Sequence, residues 1–128
     1  MTISQDVPAG PAAAAPTWAL IDDEQCRRAT RTVELLGRRW SSGILLAIAR
    51  GAVHFSAITA SVKGLSDRML AVRLKELQRA GLVERVVEPT TPVSVHYRLT
   101  PRGRELLEAL QPIVRFGLRW DPPRLEDD

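Results

Sequence analysis

Leu65-Ser66-Asp67-Arg68-Met69-Leu70-Ala71-Val72-Arg73-Leu74-Lys75-Glu76-Leu77-Gln78-Arg79-Ala80-Gly81-Leu82 is the stretch that decides the fold of this 128-residue chain. It reads as one helix with both ends marked. Ser66 suits an N-cap, because its hydroxyl can accept from a backbone N–H that the first turn leaves without a partner. Gly81 stands just past the last apolar turn, where a left-handed residue closes a helix. Leu70, Leu74 and Leu77 follow at i, i+4 and i+7 and so line one face. Arg68, Arg73, Lys75 and Arg79 stand mostly off that face. An ordinary amphipathic helix with a solvated basic side has the same pattern. So does a DNA recognition helix, whose first turn reaches base edges while its cations meet phosphates.

The residues that follow separate the two. Leu82-Val83-Glu84-Arg85-Val86-Val87 is short and β-branched. Glu88-Pro89-Thr90-Thr91-Pro92 is turn chemistry, with two prolines that a central strand excludes. Val93-Ser94-Val95-His96-Tyr97-Arg98-Leu99 then alternates with the period of a half-buried strand. Helix, glycine stop and a two-stranded ribbon with a proline-rich tip form a winged helix-turn-helix: mainly α, with a small β-wing.

The charge is concentrated. From Cys26 to Trp120 there are 17 Lys and Arg against 7 Asp and Glu, a difference of +10; the flanks hold 1 basic and 8 acidic residues, a difference of −7. Together these give the net +3 of the whole chain, so the central region is far more basic than the total suggests. Such a region attracts a polyanion. No apolar run approaches the length of a membrane span, and the first residues lack the basic start and apolar core of a secretion signal. A single cysteine excludes an intramolecular disulfide framework and fits a reducing compartment. A cytoplasmic location is expected, with no membrane partner.

The remaining segments fill out the architecture. Residues 1–17 read as a flexible Ala/Pro-rich arm, 18–120 as the DNA-binding and dimerisation domain, and 121–128 as an acidic tail. Asp22 or Asp23 is expected to cap a first helix with Cys26, Ala29, Val33 and Leu36 on its apolar face and Gly37 at its end. A second helix is expected from about Arg39 to Arg50, with Trp40 inward. Val53–Phe55 suggests a short edge strand, and Ser56 the cap of a short third helix. Thr100 and Pro101 read as N-cap and N1 of a last helix, which Pro112 should kink or deprive of one hydrogen bond. That helix carries Leu106, Leu107, Leu110, Ile113, Val114 and Leu118, more apolar surface than a small core can cover. The first helix and the Trp18 region share the problem. A homodimer formed through the N- and C-terminal helices resolves both, and matches paired half-sites on DNA.

Several pieces together resemble the HxlR-type bacterial transcriptional regulators, a winged-helix group similar in shape to MarR-type repressors. They are Cys26 at the start of the first helix, Leu36-Gly37-Arg38-Arg39-Trp40, His54-Phe55-Ser56-Ala57-Ile58, Leu65 to Leu70, Arg73 to Leu77, Ala80 to Arg85 and Val95 to Thr100. The resemblance spans about Cys26 to Gly103. This chain departs from the family pattern in having Arg27 where a proline is usual, a wing tip one residue longer, and Ser94 in place of the wing arginine. The end of the last helix does not align. The resemblance implies a sequence-specific DNA-binding transcriptional regulator, acting as a repressor by operator occlusion. It also implies that Cys26 senses oxidants or electrophiles.

Arg68 is the first choice for base readout, since arginine donates bidentately to guanine. Ser66 and Asp67 contact bases or only cap. Arg73 meets a base or phosphate, or pairs with Glu76 or Glu34. Lys75 and Arg79 suit phosphate contacts, and Ser94 marks the wing. For Cys26, Arg27, Arg28 and the helix start favour thiolate; the alternative is a small buried apolar residue. Trp40, Phe116 and Trp120 are candidates for a small-molecule pocket between subunits, or for packing. No metal-ligand spacing, phosphate loop or catalytic constellation can be assembled, so neither an enzyme nor a cofactor is expected. The rival from another class is a winged-helix protein-interaction module without its own operator.

Overall fold

The computed structural model describes residues 15–121. The expected arm therefore lies outside the described residues up to residue 14, and the expected acidic tail from residue 122 onward. The chain divides into two compact units between Leu35 and Leu36.

In the first unit a short 3-10 helix, Thr17–Leu20, precedes helix α1, Asp23–Gly37, all but the last two residues of which belong to that unit. A reciprocal capping box starts α1: the Gln25 amide donates to Asp22 Oδ1 at 2.8 Å, and the Asp22 amide donates to Gln25 Oε1 at 3.0 Å. Two N–H groups left over by the first turn are thereby satisfied. Asp23 and Glu24 add negative charge at the positive end of the helix.

The second unit holds α2 (Ser41–Ala49), α3 (Phe55–Ser61), α4 (Asp67–Arg79), β1 (Val83–Glu88), β2 (Ser94–Leu99) and α5 (Pro101–Trp120). Its core is Ile44, Leu45, Ala47 and Ile48 from α2, Ile58 from α3, Leu65, Leu70, Leu74 and Leu77 from around α4, and Leu82, Val83 and Tyr97 from the ribbon. The three leucines of α4 are at most 2% exposed. Helices α2, α3 and α4 with the antiparallel ribbon, paired from Val83↔Leu99 to Glu88↔Ser94, make a winged helix-turn-helix.

Three local expectations are corrected. Helix α2 begins at Ser41, not Arg39, because Trp40 is in the left-handed region at φ 80° and turns the chain before the helix starts. Ser56 does not cap α3. The helix begins one residue earlier, at Phe55, with His54 in the cap position and its Nδ1 3.1 Å from the Val95 carbonyl. No strand forms at Val53–Phe55. The segment meets β2 through one backbone bond, the Tyr97 amide donating to the Val53 carbonyl at 2.8 Å, too little to extend a ladder.

Helix α5 is tied to the end of α4 by one hydroxyl. Thr100 Oγ1 accepts from the Gly103 amide at 3.0 Å and donates to the Gly81 carbonyl at 2.6 Å. Gly81, at φ 76°, is the left-handed stop expected after α4. Buried Gly103 lets the first turn of α5 lie directly on the Leu82 backbone, and a Cβ there would fall on the Leu82 carbonyl oxygen. Further along, α5 continues through Pro112 to Trp120 without a break. Pro112 is exposed, so water can serve the Glu108 carbonyl that lacks its helical donor.

Gly103→Ala should lower unfolding free energy by about 3 kcal/mol, because the obstructing atom is backbone and cannot swing aside. Ser66→Ala, which removes only a cap, should cost about 1 kcal/mol. Urea denaturation of the two variants against the parent checks both the values and their order.

Candidate nucleic-acid interface

Both ends of α4 are built as its sequence dictates. Ser66 Oγ accepts from the Met69 amide at 3.1 Å, and Gly81 turns the chain into β1. With 3.6 residues per turn, burying Leu70, Leu74 and Leu77 puts Arg68, Ala71, Val72, Lys75 and Arg79 on the opposite side. All five are exposed. They form a row about 16 Å long at 1.5 Å rise per residue. Among the described residues, Arg68, Lys75 and Arg79 have no ion-pair partner. The row therefore presents three uncompensated cations, one in the first turn, with two small apolar side chains between them.

The other candidates of this region are engaged inside the unit. Ser66 caps. Asp67 Oδ1 accepts from Thr59 Oγ1 at 3.2 Å, joining α4 to α3. Arg73 turns back, donating from Nε to the Arg39 carbonyl at 2.8 Å and pairing with Glu76 at 3.2 Å. Ser94 opens β2 opposite Glu88, beside the five-residue wing tip Pro89–Val93. On the ribbon Arg98 is paired across the strands with Glu84 at 3.1 Å, while Arg85 is exposed with no ion pair among the described residues.

Ala71, Val72 and Arg85 were not among the residues singled out from sequence. Ala71 and Val72 lie three and four places from Arg68, so helical spacing alone marks them as sharing its face. Val72 is 42% exposed, a side chain of the kind that packs on a thymine methyl in the major groove. Arg85 pairs in register with Tyr97, so it stands on the face of the ribbon opposite Glu84 and Arg98, and no pattern in the sequence marks it.

Of the candidate pocket residues, Trp40 directly precedes α2, and Phe116 and Trp120 lie on the last turns of α5. The Trp40 indole packs beside Gly64 in the turn before α4, with the Arg39 guanidinium 4.5 Å from its ring centroid. Phe116 and Trp120 are 62% and 64% exposed on the last turns of α5. Within one copy, an open cavity of about 430 Å³ between α2, β2 and α5 is lined by residues such as Ile48, Leu99, Arg104 and Leu107.

Cys26, on α1, is exposed and unpaired. The two neighbouring arginines are directed to Glu24, Arg28 at 2.9 Å and Arg27 at 3.0 Å. These bonds, that of Arg28 foremost, hold the Glu24 carboxyl below the usual carboxylate range. A depressed carboxylate contributes at neutral pH and loses its effect as pH falls through its lowered value.

His54 and His96, distant in sequence, stand with ring centroids 6.2 Å apart. Among the described residues no group of three His, Cys, Asp or Glu side chains is placed to hold a metal ion. None of the described helices is long and apolar enough to cross a membrane.

A capped helix that buries one face and offers a row of unpaired cations on the other, followed by a two-stranded wing, defines a helix-turn-helix protein that binds DNA. Comparison with known proteins gives the family: the chain belongs to the HxlR-like helix-turn-helix regulators, which match it over residues 35–124. They are transcriptional regulators and not enzymes. The HTH-type transcriptional regulator YvaP of Bacillus subtilis is 38% identical over 104 residues, covering 81% of this chain and 96% of YvaP. The HTH-type transcriptional regulator YodB of B. subtilis is 41% identical over 98 residues, covering 77% of this chain and 88% of YodB. The reduced form of YodB superimposes with a TM-score of 0.72 at 36% identity, over 78% of this chain and 98% of that one. Solved structures of YodB also include a quinone-bound form, with a TM-score of 0.65 at 33% identity over 74% of this chain and 99% of that one. A diamide-treated form has a TM-score of 0.68 at 37% identity, over 77% and 97%.

Replacing Arg68 by Ala should cost about 1–3 kcal/mol at one base pair per half-site and relax sequence preference there. Lys75→Ala should weaken all sequences alike. Binding assays on a panel of single-base variants of the preferred duplex distinguish the two patterns; an Arg68→Ala protein with unchanged preference would remove α4 from the major groove.

Proposed function

We propose that the protein is a homodimeric transcriptional repressor of the cytoplasm that occludes an operator and releases it in response to a thiol-reactive small molecule. The observation that carries the DNA-binding part is the exposed row Arg68, Ala71, Val72, Lys75 and Arg79 on a helix whose other face is wholly buried. Arg68 reads a base, Val72 a thymine methyl, and Lys75, Arg79 and Arg85 meet phosphates. Ser66 and Asp67 hold the first turn in place, and Ser94 lies beside the wing tip that touches the backbone.

Dimerisation is supported by apolar surface that one copy leaves open. On α5, Ile113, Val114, Phe116, Leu118 and Trp120 are all about half exposed or more, as are Trp18, Leu20, Ile21 and Val33 of the first unit. A second copy that covers both sets gives the two-fold arrangement in which paired recognition helices lie about 34–36 Å apart on one face of DNA. Ile113→Glu with Phe116→Glu should yield a folded monomer by light scattering and abolish operator binding. A doubly substituted protein that remains dimeric would place the interface elsewhere.

Regulation is supported by the accessibility of Cys26 on a helix assigned to the dimer, and by the quinone-bound and diamide-treated forms of the related YodB. A thiolate adds its electron pair to an electrophilic quinone ring carbon, forming a thioether as the ring electrons pass to the carbonyl oxygen and a proton is taken up to give the hydroquinone. Diamide accepts two electrons and two protons as two thiols become a disulfide. With one cysteine per chain, that disulfide joins two subunits or captures an external thiol. Cys26→Ser should bind DNA as the parent does and ignore quinone or diamide, where the parent loses affinity. If the two proteins respond alike in a mobility-shift titration, the effector acts through a non-covalent site near Trp40, Phe116 and Trp120.

A further inference from the structure

Among the basic residues of α4, Arg73 alone is turned into the fold, with its side chain 15% exposed. Its guanidinium meets two acceptors of different origin: the Arg39 carbonyl at 2.8 Å and Glu76 Oε1 at 3.2 Å. The second oxygen of Glu76 lies 3.5 Å from Arg38 Nη1. Arg39 in turn stacks on Trp40. The Trp40 indole lies 3.1 Å from the point where a Cβ on Gly64 would be, at the turn that leads into α4. The three-residue segment Arg38–Trp40 thus grips α4 twice, at mid-helix through Arg73 and Glu76 and ahead of its first turn through Gly64.

The leucine stripe cannot supply this constraint. Leu70, Leu74 and Leu77 fix how deeply α4 sits, but a single apolar stripe resists rolling about the helix axis poorly. Arg73 and Glu76 both lie on one side of the stripe, where a bond off the stripe's axis opposes roll directly. Base readout by Arg68 tolerates only about 0.5 Å and 10–20° of error. A planar guanidinium with its donors in a fixed fork is suited to that task, and a lysine ammonium is not.

We infer that Arg38–Trp40, Arg73 and Glu76 form a clamp that sets the roll of the recognition helix. Arg73 and Glu76 are positioning residues for DNA recognition, and neither is a ligand for DNA. The inference rests on α4 being the helix that enters the groove.

Affinity for a duplex selected by the parent protein from a random pool, measured across a range of salt, tests it. Lys75→Ala serves as the control: loss of one phosphate contact per subunit, two per dimer, should flatten the slope of log K against log salt by about 1.8. Arg73→Lys should weaken binding about tenfold with the slope unchanged, because a charge is kept and a fork is lost. The sign of the Glu76→Gln effect separates the two explanations most sharply. Removing an acid from a DNA-binding surface tightens binding if only charge matters; loss of the clamp weakens it, again about tenfold and without change of slope. An Arg73→Lys protein that binds as the parent does, or a Glu76→Gln protein that binds more tightly, overturns the clamp. If Arg73→Lys fails to fold by circular dichroism, Glu76→Gln decides alone. A parent protein that selects no duplex overturns the assignment of α4 and the clamp with it, whereas a parent that binds with unaffected variants overturns the clamp only.

Discussion

Burial of Leu70, Leu74 and Leu77 is the constraint on which the rest of the second unit depends. Each leucine taken out of water contributes about 1.5–3 kcal/mol, and together they hold α4 against α2, α3 and the start of the ribbon. Once those three positions face inward, helical geometry leaves no choice about the other side: Arg68, Lys75 and Arg79 must point to solvent. The exposed basic row is thus the geometric complement of the core. The caps follow the same logic. Ser66 and Gly81 define where the leucine stripe starts and stops, and Thr100 uses the Gly81 carbonyl to bring α5 back over the ribbon.

What could be read from sequence was local or periodic. The extent of α4, the ribbon with its proline-rich tip, and the Thr100–Pro101 start of α5 all rest on caps, spacing and turn chemistry within a few residues. The basic row was legible for the same reason. What escaped was tertiary. Nothing near Trp40 announces a left-handed residue; its conformation goes with an indole placed against Gly64, 24 positions away. The Ser56 cap failed because α3 begins a residue sooner, with the imidazole of His54 directed across the unit to Val95. For Arg73 the sequence left a base or phosphate contact open beside a pair with Glu76 or Glu34; the fold forms the Glu76 pair, and the bond to the Arg39 carbonyl, 34 positions away, is the part no local pattern announces.

The first unit is of a different kind. Its local chemistry is complete, with a capping box and a Glu24 carboxylate shared between two arginines. Yet Trp18, Leu20, Ile21 and Val33 remain exposed. A helix with a capped start and an uncovered apolar side is stable in outline and unfinished in packing. The arginines beside Cys26 make their hydrogen bonds to a carboxylate one turn back along the helix.

The exposed side of α4 has a further consequence, for how such a protein diversifies. Arg68, Ala71, Val72, Lys75 and Arg79 contribute nothing to the core, to either cap or to the contacts with Arg39 and Glu76. Substitutions among them are nearly invisible to folding, because surface changes away from special features stay within about 0.5 kcal/mol. A duplicated copy of this chain can therefore drift to a new target sequence through single replacements on that row, each intermediate remaining folded. Stability and specificity are written on opposite sides of the same thirteen residues, and selection can revise one without consulting the other.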